Sequence, residues 1–88
     1  MDNQSFAELV RTLSTQFSNR LENNEFIKSL TPGNLSDLIE DCNECEEMIS
    51  DNFKQTVKPS AKLWLLKQEL LKKIALYRQM LENNLYCE

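Results

Sequence analysis

Glycine and proline, the residues that interrupt helices, occur in only two places along these 88 residues: Pro32-Gly33 and Pro59. A chain so sparsely punctuated has room for long helices and few turns. Three helical stretches are predicted, over about 4–29, 33–57 and 60–84. Short connections fold such stretches back on one another, so the expected architecture is all-α, an antiparallel three-helix bundle in up-down-up order. A second core would need roughly another 50 residues, so residues 1–88 are expected to form a single helical domain.

Each stretch carries its own start signal and apolar face. Ser5-Phe6-Ala7-Glu8 has the pattern of a capping box, in which side chains satisfy the first free amides of a helix. Phe6, Leu9, Val10, Leu13, Phe17 and Leu21 then recur at helical spacing, whereas Phe26 and Leu30 fall off that face. The mismatch follows Asn23-Asn24, a weak helix-forming pair, and predicts a bend or break there. The second stretch begins near Thr31-Pro32 or Asn34, with proline tolerated in a first turn. Its apolar face is Leu35, Leu38, Ile39, Cys42, Cys45, Ile49, Phe53 and Val57. The third follows Pro59-Ser60, with a main stripe of Leu63, Leu66, Leu70, Ile74, Tyr77, Leu81 and Leu85. The second and third stretches are expected to be the firmest pair.

The third stretch has more apolar surface than that pairing requires. Trp64, Leu71 and Ala75 form a second flank, and Leu65 and Leu76 point almost directly away from the main stripe. A helix apolar around so much of its circumference must lie centrally or meet another partner. Trp64, Leu65, Leu71 and Leu76 are therefore the expected partner-binding residues, with Trp64 as anchor, because buried tryptophans dominate interface energetics. Glu46 joins them as a candidate. It projects from within the apolar stripe of the second stretch, where a carboxylate needs a cation, and Lys67 or Arg78 or an interface should supply it.

Charge separates along the chain. Residues 31–55 carry seven acids and one base, and residues 56–88 carry three acids and six bases, within a net charge of -4. The basic third is explained by the acidic third beside it. A net acidic chain is poorly suited to nucleic acid, whose affinity comes from neutralising phosphates. Lys62, Lys67, Lys72, Lys73 and Arg78 are accordingly read as a solvated or paired face.

The acids Asp37, Glu40, Asp41, Glu44, Glu47 and Asp51 gather on the opposite side of the second stretch. They receive the same reading, since calcium prefers a loop that can wrap it. Cys42 and Cys45 have C-x-x-C spacing but lie in line with Ile39 and Ile49. Core packing is the simpler account than a metal or redox site, and no cofactor or metal is expected.

The chain contains no histidine, the residue that titrates near neutrality without perturbation. No phosphate-binding glycine loop or nucleophile elbow is present either. The expectation is a protein that is not an enzyme. No apolar run is longer than that of Leu63-Trp64-Leu65-Leu66, far below the ~18–20 residues that span a bilayer. With no basic leader segment and an odd number of cysteines, a cytoplasmic or nuclear location away from membranes is expected.

Ala75-Leu76-Tyr77-Arg78-Gln79-Met80-Leu81 resembles the tripeptide signature of the LYR-motif proteins, small helical mitochondrial assembly factors. The resemblance covers seven residues and implies an acyl-carrier-protein partner. In that family the motif lies on the first helix with a phenylalanine downstream; here ten residues follow Arg78 and none is phenylalanine. The leading expectation is a non-catalytic adaptor or assembly subunit binding a partner helix or a second copy through the third stretch. The alternatives are a monomeric module that captures an amphipathic peptide between helices, and the LYR-like assembly factor.

Overall fold

The structure, a computed structural model, describes residues 1–86. Three α-helices dominate them: α1 over Asn3–Glu22, α2 over Pro32–Lys54 and α3 over Ala61–Leu85, with a 3₁₀ segment over Glu25–Ser29 between α1 and α2. No helix among the described residues is long and apolar enough to cross a membrane.

All three α-helices start in the same way. The side chains of Asp2, Thr31 and Ser60 accept hydrogen bonds from the amides of Ser5, Asn34 and Leu63, satisfying donors that the first helical turn leaves free. The first cap corrects the sequence reading: Asp2 caps α1, and Ser5 lies inside the first turn. The hydrogen bonds from Ser5 hold the Asp2 carboxyl below the usual carboxylate range.

The predicted interruption of the first stretch is a true break. Asn23 ends α1, with both its backbone amide and its side-chain amide donating to the Asn19 carbonyl. The 3₁₀ segment then turns the chain and buries Ile27 while leaving Phe26 exposed.

Helix α2 ends three residues before the predicted boundary. Thr56 is buried, and its hydroxyl donates to the Asn52 carbonyl at 2.7 Å. The Val57 amide leaves the helical ladder and donates to the Met1 carbonyl at 3.1 Å. Val57, assigned above to the apolar face, is consequently exposed in the turn. Lys58 completes the turn at φ 47, a left-handed conformation that side chains other than glycine adopt infrequently. Asn3 holds this connection from across the fold: its side-chain amide donates to the carbonyls of Val57 and Lys58, and its side-chain carbonyl accepts from the Ser60 amide.

The direction of each helix follows from its cross-contacts. Asn3 meets Ser60, Ser14 meets Lys73 and Phe17 packs edge-on against Tyr77, so α1 and α3 run parallel. Phe53 meets Lys67 and Asn43 meets Arg78, so α2 runs against α3. This is the expected up-down-up order. Helices α1 and α2 pack against α3 to the same extent, so the α2–α3 pair expected to be the firmest is matched by α1 on α3. The reason is the weight of α1: Phe6, Val10, Leu13 and Phe17 are all buried, and they meet Leu63, Leu70, Ile74, Tyr77 and Leu81 of α3 around Leu35, Cys42 and Ile49 of α2.

The result is a slab with Cα extents of 47 × 21 × 15 Å. Its radius of gyration is 14.3 Å, against about 12 Å for a compact domain of this length. Its accessible surface is 5833 Å², several hundred Å² above the roughly 5,400 Å² typical of a monomer of this mass.

Candidate functional site

Because α1 and α2 both lie on one side of α3, the outer half of α3 faces solvent. Side chains on a helix advance by about 100° per residue, and Leu63, Leu70, Ile74, Tyr77 and Leu81 share the inward arc. Trp64, 47% exposed, lies roughly 100° from Leu63, and Leu65 and Leu76, 56% and 59% exposed, lie roughly 200–220° from it.

The four α3 residues singled out in the sequence therefore do not form one surface. Trp64 borders the α2 side. Leu65 and Leu76 sit on the back, about 110° away around the helix axis. Leu71 is partly buried and packs against the core. Trp64, Leu65 and Leu76 remain free, in two patches.

Glu46 is engaged within the molecule. Its carboxylate meets the Arg78 guanidinium, which also donates to the Asn43 side-chain oxygen at 2.9 Å and stands 3.7 Å from Glu82. Arg78 thus joins α2 to α3, as one of the two partners expected for Glu46. The other, Lys67, places its ammonium 4.3 Å from the centroid of the Phe53 ring.

The remaining acids of α2 are solvated. Among the described residues the ion pair between α2 and α1 joins Asp41 to Arg20 at 3.6 Å, longer than a hydrogen bond. The Arg20 guanidinium lies over the rings of Phe17 and Tyr77, at 4.9 and 5.7 Å from their centroids. This cation over two buried aromatics was not foreseen. Its signal was present, since Arg20 falls one helical turn after Phe17.

Cys42 is buried and Cys45 is partly buried, and both are free thiols. Burial pushes the Cys42 thiol up to about 11 and moves Cys45 in the same direction. Such thiols are poor nucleophiles near neutral pH. Burial likewise raises the Tyr77 hydroxyl. Among the described residues no group of three or more cysteine or carboxylate side chains converges as metal ligands would. Cys87, the third thiol, lies outside the described residues.

Tyr77 is 1% exposed, so it cannot stack on a base. It is also the centre of the Leu76-Tyr77-Arg78 tripeptide, which falls on the last helix with Tyr77 in the core and Arg78 in the pair with Glu46.

Two shallow grooves flank the outer half of α3. One lies between α1 and α3 and is lined by Val10, Arg11, Ser14, Thr15, Leu66 and Glu69. The other lies on the back of α3 and is lined by Lys72, Ala75, Leu76 and Gln79. The back of α3 also carries Glu69 and Lys72. Both are exposed and lie on the same arc as Leu65 and Leu76. Comparison with known protein families, curated proteins and solved structures finds no match for this chain.

Proposed function

We propose that the chain is a non-catalytic helical adaptor or assembly subunit that joins a helical protein partner, or a second copy of itself, through the solvent-facing half of α3. One observation carries this reading. Trp64, Leu65 and Leu76 stand in solvent on a well-capped helix whose inner side is already fully packed. Large apolar side chains left in water on two parts of one helix are surface that a partner would gain by burying. The elongated slab supports the reading, because a thin core gains from further burial. Trp64 is the anchor toward α2, and Leu65 with Leu76 forms the back patch.

The non-catalytic part of the proposal draws on a sequence without histidine and on the four groups whose proton affinity is shifted. The groups with shifted affinities move away from neutrality, Asp2 downward and Cys42, Cys45 and Tyr77 upward. General acid–base work needs the opposite. A cytoplasmic or nuclear location is part of the same proposal, in keeping with an odd number of cysteines.

The test is the mass of the chain isolated from its own cell at native level. An assembly mass above the 10.3 kDa of the single chain is expected, reduced by Trp64→Ala or by Leu65→Glu with Leu76→Glu while helicity by circular dichroism is retained. A free single chain, or an assembly that ignores both sets of substitutions, would overturn the proposal. A second reading, a monomeric module holding an amphipathic peptide, has the α1–α3 groove in its favour. It is the weaker one, since only Val10 and Leu66 line that groove with apolar side chains.

A further inference from the structure

We infer that the back of α3 is self-complementary and pairs with the same face of a second copy, the two α3 helices lying antiparallel about a two-fold axis. This gives the back patch alone an occupant; it rests on the adaptor reading only in taking that face as free, and leaves Trp64 and the cellular partner to that reading. Four exposed residues carry the inference: Leu65, Glu69, Lys72 and Leu76. They share an arc of about 60° on the helix. Their spacing of four, three and four residues is that of a coiled-coil seam.

The order of their chemistry is symmetric. The midpoint between Leu65 and Leu76 is also the midpoint between Glu69 and Lys72, and it falls between Leu70 and Leu71. Antiparallel pairing through that point sets Leu65 against Leu76 of the partner subunit and Glu69 against Lys72 of the partner subunit, twice over. Parallel pairing in register would instead oppose glutamate to glutamate and lysine to lysine. Charged residues at seam positions choose orientation and register at some cost in stability. The back groove matches this arrangement. Its walls, Lys72, Ala75, Leu76 and Gln79, are where the partner subunit's Leu65 would seat. Trp64 lies about 110° away and takes no part.

A seam of this size involves far fewer than the roughly 20–30 residues a side of a standard stable interface. The dimer should therefore be weak, with Kd on the order of 0.1 mM. Sedimentation equilibrium of the purified chain up to about 1 mM tests this, together with two exposed substitutions whose folding is checked by thermal melting.

Glu69→Lys places lysines opposite lysines in its own dimer, and Lys72→Glu places glutamates opposite glutamates. Each alone should raise Kd by about tenfold or more. Mixed together, the two variants oppose lysine to glutamate at every position and should associate at least as well as the parent chain. The inference is overturned by a parent chain that stays monomeric at 1 mM, by a dimer indifferent to both substitutions, or by two variants that fail to combine. None of these results touches the adaptor reading, which is judged by the assembly mass in the cell and its response to the Trp64 and the Leu65 with Leu76 substitutions.

Discussion

Helix α3 presents leucine on two opposite faces, and the two meet different fates. On the inner face Leu63, Leu70 and Leu81 are at most 4% exposed, while on the outer face Leu65 and Leu76 are more than half exposed. The residue type, the helix and the local backbone are the same. What differs is angular position relative to α1 and α2, which both lie on one side of α3. Hydrophobicity supplies the drive for burial, but topology decides which side chains realise it. The inner face holds the fold, and the outer face is free to do something else.

The sharpest break of this comparison is Leu70→Ala. Leu70 is fully buried at the centre of α3, and truncating such a residue costs ~2–5 kcal/mol, the transfer term plus the cavity left behind. A domain of this length holds about 4–13 kcal/mol in all. The variant should show a large fall in its urea midpoint, with partial unfolding at 37 °C. A midpoint within experimental error of the parent chain would mean that the inner face does not carry the fold.

Most of this division was visible in the sequence. The helix-period stripe of α3 placed Leu63, Leu70, Ile74, Tyr77 and Leu81 inside, and its exceptions placed Trp64, Leu65 and Leu76 outside, because burial in a helical bundle follows the period of the helix. Three things were not legible. The cap of α1 moved to Asp2, since two overlapping start signals compete locally and the long-range tie from Asn3 to the α2–α3 turn favours the earlier one. Ile27 became core because a 3₁₀ segment rotates side chains by a different step from an α-helix. Leu71 was grouped with Trp64 although the two fates separate. The edge of α2 covers one and not the other, and a helical wheel of one helix cannot show the width of its neighbour.

Arg78→Ala probes the border between the two faces. Arg78 is half-buried and ties Glu46 and Asn43 of α2 to Glu82 of α3. Both members of the Glu46 pair keep partial contact with water, so solvent screening holds the expected loss to about 1 kcal/mol. Adding Glu46→Gln to Arg78→Ala should cost no more than Arg78→Ala alone, because the two share one interaction. Additive losses in a urea double-mutant cycle would show that the pair contributes nothing jointly.

A smaller effect separates buried from exposed by proton affinity. The Cys42 thiol ionises near 11 in the fold but near 9.0 in the unfolded chain. The unfolded chain thus gives up its proton first. Stability should hold below pH 9 and decline as pH rises toward 11. Chemical denaturation at successive pH values, compared with Cys42→Ala, reads this directly, and the variant should decline less steeply. Tyr77 shifts in the same direction, so some decline should persist in the variant. Identical slopes would place the decline elsewhere. Iodoacetamide should modify Cys42 only after unfolding.

The smallest expected effect is the most discriminating. Leu65→Ala with Leu76→Ala removes two leucines from the same helix that Leu70→Ala damages, yet at low concentration it should change stability by no more than ~0.5 kcal/mol, the range of ordinary surface substitutions. Alanine is a better helix former than leucine, so a slight gain is as acceptable as a slight loss. A destabilisation above ~1 kcal/mol in dilute urea titration would mean that these side chains already pack within the single chain, and the outer face would cease to be available. If stability is unchanged when dilute but the concentrated parent chain melts higher than the variant, the difference is the contribution of contacts between copies. Stability that depends on protein concentration is the signature of association coupled to folding. The outer face of α3 is then distinguished from the inner one not by what it is made of but by which molecule covers it.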